Sequence, residues 1–437
     1  VGNRIRVKKG NNVFEGLLMP RIELGDPNCL ILKLDNGYNI GIEFTKDVEI
    51  EKVGEGKKLG VIPVMKIKPK PGLPNISFVA TGGTIGTHVD YVTGGVYMCR
   101  TPEEILTTTP ELQDIVNIKR ALRPFTVASE DMTPKDWQKL AKIVAKELND
   151  KDIKGVIITH GTDYLHFTAA ALSFMLCNLT KPVALVGAQR SPDRGSFDGA
   201  LNLVCASYFC GHSDIAEVCV VMHGTTEDTF CYAHRGTKVR KMHTSRRDAF
   251  RSINELPIAK IWGDGKIEIL NENYRKRSDG EVVADTKFET KVALIKTYIG
   301  SNPEVMDWYI DKGYKGIVLE GSGLGHVPTG ESGTKPGEFD IKLSWIPKIK
   351  RATELGIPVI MTSHCLYGRV NPYVYRNLRL ASQAGAIYAE DMLPEVAYIK
   401  LGWILGHTKN LEEVKKLMLT NIAGEITKQI DVRAFLF

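Results

Sequence analysis

Ile76-Ser77-Phe78-Val79-Ala80-Thr81-Gly82-Gly83-Thr84-Ile85-Gly86 is the stretch on which the fold turns. An apolar run without helical spacing, halted by paired glycines, reads as a buried parallel strand ending in a turn. The same pattern recurs at Gly155-Val156-Ile157-Ile158, followed by Thr159-His160-Gly161-Thr162-Asp163. In an open α/β sheet, ligands bind beyond the carboxyl ends of the strands, which is where Thr84 and Thr162 fall. Glycine beside a hydroxyl lets the main chain approach an acyl group and aim N–H groups at a developing oxyanion. Two hydroxyls at two strand ends point to amide hydrolysis through an acyl-enzyme.

Working outward, strands and helices alternate from Asn75 onward. Thr133 is a helix N-cap, Pro134 suits the first helical position and Asp136 the first turn, predicting a helix to about Leu148. Further buried strands are expected at 183–186, 217–222, 293–296, 316–319 and 357–361. This is a doubly wound parallel pattern in two α/β lobes, 75–275 and 290–437, with the polar stretch from Asn271 to Thr290 as the passage between them. Residues 1–70 read instead as a small SH3-like β-barrel, a module that docks more often than it catalyses. Ile5 and Val7 alternate with basic residues, Asn36-Gly37 suits a hairpin turn between 29–34 and 38–44, and Val48-Glu49-Ile50 adds a strand. Lys66 to Gly72 reads as a semi-rigid linker.

Composition narrows the class. No apolar run reaches the roughly 20 residues that span a bilayer, and Val1 to Gly10 carries no signal-peptide core, so the expected location is the cytoplasm. The eight cysteines form no CxxC pair and there is no HExxH, which argues against a zinc site, and no metal is expected. Cys177, Cys205, Cys210 and Cys219 sit in apolar stretches and read as small hydrophobes. The net charge of +6 is a mild excess whose densest run, Arg235 to Arg251, reads on its own as a solvated loop; phosphate binding by it stays open.

A threonine hydroxyl needs a base to take its proton. Lys241 lies in that polar run, able to fold back over the sheet edge, and a lysine held by a carboxylate such as Asp163 can serve. The glycine-rich stretch from Gly86 to Gly95, with Tyr91, suits a lid over substrate. Each motif alone has a plainer reading: a phosphate-cradling turn for Thr81–Thr84, though no Walker GxxxxGK[ST] or GxGxxG is present, and a strand-end cap for Asp163.

The order of Thr81–Gly86, Ser129-Glu130-Asp131-Met132, His160–Asp163, Val186-Gly187-Ala188-Gln189-Arg190 and Gly236 to Lys241 resembles the bacterial-type L-asparaginases. Asp391-Met392-Leu393-Pro394-Glu395-Val396-Ala397 with Lys400-Leu401 is similar to that family's C-terminal signature. The resemblance implies that Thr84 and Tyr91 belong to one catalytic triad and that Thr162, Asp163 and Lys241 form a second. It implies that Ser129 and Glu130 hold the substrate's α-carboxylate and α-ammonium, and that Ala188 offers a backbone carbonyl near the amide nitrogen. A Gln commonly stands in that family where this chain has Glu130, so the choice between glutamine and asparagine stays open. So do the primary nucleophile, Thr84 or Thr162, and the third member of the Thr84 triad.

The appended barrel resembles the architecture of the asparaginase-like, D-type subunits of archaeal glutamyl-tRNA(Gln) amidotransferases. That resemblance implies a glutaminase that releases ammonia from free glutamine or asparagine, with no cofactor in this chain. A partner, the E-type amidotransferase subunit, would bind Glu-tRNA(Gln) and use ATP and Mg2+, with a homodimer of this chain inside a heterotetramer. The alternative is a free-standing L-asparaginase with an accessory barrel. A non-enzymatic assembly protein with decayed triads is a third reading, against which the retained Thr84, Thr162, Asp163 and Lys241 speak.

Overall fold

The computed structural model describes residues 1–20, 26–35, 38–55, 69–89, 96–98, 109–192, 195–330 and 343–436. At the N-terminus, β1 (Arg4–Lys9), β2 (Asn12–Met19), β3 (Cys29–Lys33), β4 (Asn39–Glu43) and β5 (Val48–Gly54) form an antiparallel sheet in the order β4-β3-β2-β1-β5. Its small core is Ile5, Val7, Leu32 and Ile42, the inward half of the alternation in the sequence. Asn36 and Gly37 lie outside the described residues, but Lys33 faces Asn39, as a tight connection requires. Residues 56–68, which include the first part of the expected linker (Lys66 to Lys68), also lie outside them.

The second sheet begins at β6 (Asn75–Ala80). A short hairpin of β7 (Thr87–Val89) and β8 (Val96–Met98) follows, then β9 (Asn117–Leu122), helix α1 (Pro134–Leu148) and β10 (Ile153–Thr159). Next come α2 (Leu165–Met175), β11 (Leu176–Cys177), β12 (Val183–Val186), α3 (Gly199–His212) and β13 (Val218–His223). Thr133 caps α1 as expected and forms a capping box with the first-turn acid Asp136; Trp137, Leu140, Ala141, Val144 and Leu148 make one buried face of the helix. Strands β9, β6, β10, β12 and β13 are parallel neighbours. Successive residues serve opposite cores: Val156 and Ile158 pack under α1 and α2, while Ile157 packs with Phe209 of α3. A strand buried on both faces must be largely apolar, so β6, β10, β12 and β13 showed in the sequence as apolar runs. By contrast β9 (Asn117-Ile118-Lys119-Arg120-Ala121-Leu122), only partly buried at the sheet edge, carried no such signal.

The doubly wound sheet is parallel through β13 and carries an antiparallel edge that the sequence reading did not include. Beyond β13 it continues through β14 (Phe230–Arg235), β17 (Ala259–Trp262) and β18 (Ile267–Ile269), all antiparallel. Six residues separate β13 from β14, too few for the crossover a parallel partner needs. Between β14 and β17 the chain forms a separate hairpin, β15 (Val239–Lys241) with β16 (Phe250–Ser252). The basic run at 235–251 is therefore not a solvated loop: Arg235 and Lys238 are buried, and only the hairpin tip around Met242 to Arg246 is exposed.

After β19 (Val283–Ala284), which pairs with β11, a parallel sheet runs β20 (Val292–Lys296), β21 (Gly316–Gly321), β22 (Val359–Ser363) and β23 (Ile387–Tyr388). Helices α4 (Glu304–Asp311), α5 (Ile346–Glu354) and α6 (Arg376–Gln383) cover one face; α7 (Pro394–Leu405) and α8 (Leu411–Met418) cover the other. Helix α7 is buried nearly all round, with Val396 and Ile399 in the first lobe's core and Ala397, Leu401 and Ile404 in the second's. One helix thus serves two cores, which explains its lack of a polar face.

Candidate active site

Adjacent parallel strands β6 and β10 end at the same level, with Val79 opposite Ile158 and Ala80 opposite Thr159. Thr81 continues the pairing: its N–H and its hydroxyl both donate to Thr159 O, at 3.1 and 2.8 Å. Gly82 and Gly83 then take φ of 125° and 90°, backbone that side chains resist. A Cβ on Gly83 would lie 2.5 Å from Gly161 N and from His160 C. Thr84, half-buried, opens a 3-10 turn at Thr84–Gly86 immediately after this contact. Tyr91 and most of the expected lid lie outside the described residues.

The second motif is packed as closely. A Cβ on Gly161 would meet Ser129 Cβ and Oγ at 2.9 Å, and one on Gly187 would meet Thr162 Cγ2 at 2.7 Å. His160 N donates to Val186 O at 2.9 Å, joining the ends of β10 and β12. Ser129 is buried in a 3-10 turn (Ser129–Asp131) and hydrogen-bonds Glu130 Oε2 at 3.3 Å, while Glu130 itself is exposed. Ala188, just beyond β12, is buried. Each contact is possible only because the nearer residue lacks a side chain, so these glycines are what bring the motifs together.

Lys241 closes the arrangement. At the end of β15, its Nζ donates to Thr162 Oγ1 at 2.9 Å and to Asp163 Oδ1 at 2.7 Å. The lysine side chain is 9% exposed and that of Asp163 is 63% exposed, so the amine is shielded while the carboxylate borders the open side. An amine within hydrogen-bond reach of a hydroxyl and anchored by a carboxylate is the arrangement of a base beside its nucleophile.

Three supports were not legible from the motifs. His160 is wholly buried, with Nδ1 2.7 Å from Gly161 O and Nε2 2.8 Å from the Thr168 hydroxyl, which also accepts from Trp137 Nε1 at 3.0 Å. Burial pushes its pKa from 6.5 down to about 4. The neutral ring donates from Nδ1 and accepts at Nε2, locking the turn that carries Thr162. Second, the C-terminal signature proves to be a seat for the Lys241 hairpin. Lys238 is bonded to buried Asp391 at 2.7 Å, Arg240 to buried Glu395 at 3.3 Å, and Thr237 donates to Ala423 O at 3.0 Å. Third, Asp198, just before α3, and Asn202 of α3 hold the turn around Ala188. An acid and an amide four residues apart across a helix start was the available signal for that last pair. Among the described residues no cluster of His, Cys, Asp and Glu could hold a metal ion, and no helix is long and apolar enough to cross a membrane.

Comparison with known families places the model described as "Asparaginase, N-terminal" on residues 75–275. "Glutaminase/Asparaginase C-terminal domain" matches 291–418, and "GatD N-terminal domain" matches 1–53. The chain is 55% identical over 434 residues to the D-type subunit of glutamyl-tRNA(Gln) amidotransferase from Pyrococcus furiosus, covering 99% of this chain and 95% of that protein. It is 45% identical over 436 residues to the corresponding amidotransferase subunit of Methanothermobacter thermautotrophicus, covering 100% and 96%. Among solved structures, the thermostable L-asparaginase from Thermococcus kodakarensis superposes with a TM-score of 0.69 at 30% identity, covering 81% of this chain and 100% of that one. L-asparaginase I from Vibrio cholerae gives 0.69 at 29% identity, covering 82% and 100%.

Proposed function

The chain belongs to the GatD family, the D-type subunits of glutamyl-tRNA(Gln) amidotransferase, and from that premise we propose that it is the ammonia-generating subunit of such an enzyme. It hydrolyses free glutamine or asparagine, and the ammonia is passed to a partner subunit that converts Glu-tRNA(Gln) to Gln-tRNA(Gln). The observation that carries the chemistry is Lys241 Nζ within 2.9 Å of Thr162 Oγ1 and 2.7 Å of Asp163 Oδ1.

In the reaction a threonine oxygen, from Thr84 or Thr162, bonds to the carboxamide carbon while its proton passes to the base of its own triad, the Lys241 amine in the case of Thr162. N–H groups of the glycine turns face the oxyanion that forms. Collapse breaks the C–N bond, and ammonia leaves with the proton returned by that base. Water then cleaves the acyl ester, releasing glutamate or aspartate and restoring the threonine. Ser129 and Glu130 take the substrate's α-carboxylate and α-ammonium, Tyr91 works with Thr84, and Ala188 accepts from the amide nitrogen. ATP and Mg2+ act in the E-type partner. A homodimer of this chain within a cytoplasmic heterotetramer is the assembly we assign, with residues 1–70 as the docking module.

Ammonia release from glutamine and asparagine, measured with and without the partner and glutamylated tRNA, tests this reading. Slow release alone and acceleration with both additions is the expected result. Equal, fast rates would instead favour a free-standing L-asparaginase, the second reading, which the shared fold supports.

A further inference from the structure

Asp198 is the residue before α3 and is fully buried, yet its side chain makes no capping bond to its own helix. It turns back to the segment after β12. Gln189 N donates to Asp198 Oδ1 at 3.1 Å and Oδ2 at 3.0 Å, and Arg190 N donates to Oδ1 at 3.0 Å. One turn along α3, Asn202 Nδ2 donates to Gly187 O at 2.9 Å, while Asn202 Oδ1 lies 2.7 Å from His223 Nδ1. Gly187 itself rests against Thr162. The peptide groups on both sides of Ala188 are therefore pinned by α3.

The consequence follows from peptide planarity. The N–H of Gln189 and the C=O of Ala188 belong to one trans, planar unit and point in opposite directions. An acid that captures the N–H from the helix side turns the carbonyl away from α3. A carboxylate, with no donor of its own, does this for two successive N–H groups at once.

The geometry points to Asp198 as a positioning residue for amide hydrolysis, one that aims the Ala188 carbonyl at the departing nitrogen through Gln189 N–H. This rests on the amide-hydrolysing reading above. Asn202 restrains the other side of the turn and links it to the Lys241 hairpin, since His223 Nε2 lies 3.0 Å from Asp228, which pairs with Arg247 at 2.6 Å. A carbonyl facing a carboxamide gains most as that nitrogen becomes the leaving amine, so its misplacement acts on kcat more than on KM.

The test compares two leaving groups on the complex with its partner subunit. Glutamine carries N–H groups for the carbonyl to accept from; glutamate γ-methyl ester, with an oxygen leaving group, carries none. Asp198→Ala is expected to lower kcat for glutamine by roughly 10- to 100-fold with KM within about twofold. Ester turnover should stay within about threefold, a difference that a merely structural defect would not produce. Asp198→Asn, whose amide oxygen replaces one carboxylate oxygen, should recover part of the loss. If the alanine variant does not fold, shown by the loss of its thermal transition, the asparagine variant's amide-selective deficit carries the comparison. Equal losses on amide and ester, or wild-type turnover of glutamine, would overturn the assignment. A wild-type complex inert towards both glutamine and asparagine would remove the functional reading itself, and this inference with it.

Discussion

At the scale of single residues, the site depends on what each side chain lacks as much as on what it carries. Gly83, Gly161 and Gly187 allow three strand ends to meet, and the functional groups are added onto that contact. Removing the hydroxyl in Thr162→Val or the amine in Lys241→Ala is expected to lower ammonia release by about 10³-fold or more. Binding of the partner subunit, followed by co-purification, should persist, because neither change touches a core. Thr84→Val should also be severe. Near-normal turnover in the Thr162 or Lys241 variant would contradict the second triad. A different measurement addresses His160. Unfolded, it titrates near 6.5; folded, burial delays protonation to about 4. Between those values the unfolded chain binds more protons, so stability is full above pH 6.5 and falls as pH drops towards 4. The group alone accounts for about 3 kcal/mol of that loss. His160→Gln should flatten the denaturant midpoint between pH 6.5 and 4.5, and an unchanged slope would refute the assignment.

At the scale of elements, the β15–β16 hairpin shows how a basic run can be structural. The charges leading into it are paired inside: Arg235, at the end of β14, between Glu217 at 3.0 Å and Glu255 at 2.8 Å, and Lys238 on Asp391. The buried Lys238–Asp391 pair fixes where Lys241, three residues on, delivers its amine. Breaking such a pair leaves a bare buried charge, so Lys238→Ala should destabilise by about 3–5 kcal/mol. Chemical denaturation would read that shift, and a change under about 1 kcal/mol would mean that water reaches Asp391. The hairpin was illegible in the sequence because a count of charges does not say which find partners. Helix α1 was legible because its cap, first-turn proline and first-turn acid are local signals.

For the whole molecule, the two α/β lobes share α7 and are tied by buried pairs such as Lys238 with Asp391, while residues 1–54 form a sheet with its own core. L-asparaginase structures match about four-fifths of this chain over their full length, so those proteins hold the shared fold with about a fifth of this chain unmatched. Deleting residues 1–68 is therefore expected to leave basal ammonia release within about threefold of the full chain and to abolish stimulation by the partner and tRNA. Stimulation that survives the deletion would show that docking lies elsewhere.

What the amino-acid order determined alone was most of the buried parallel strands, though not β9 or β23, together with the glycine turns at their ends and the residues offered for chemistry. These are short-range patterns: an apolar run buried on both faces, a glycine where a Cβ cannot fit, an N-cap before a helix. The antiparallel edge beyond β13, the burial of the basic run and the buried acids behind the site were decided only by tertiary structure. Each depends on partners far apart in the chain, such as Lys238 with Asp391 or Lys241 with Thr162. A charge is identical in sequence whether it meets water or a counter-ion, and only packing separates the two cases.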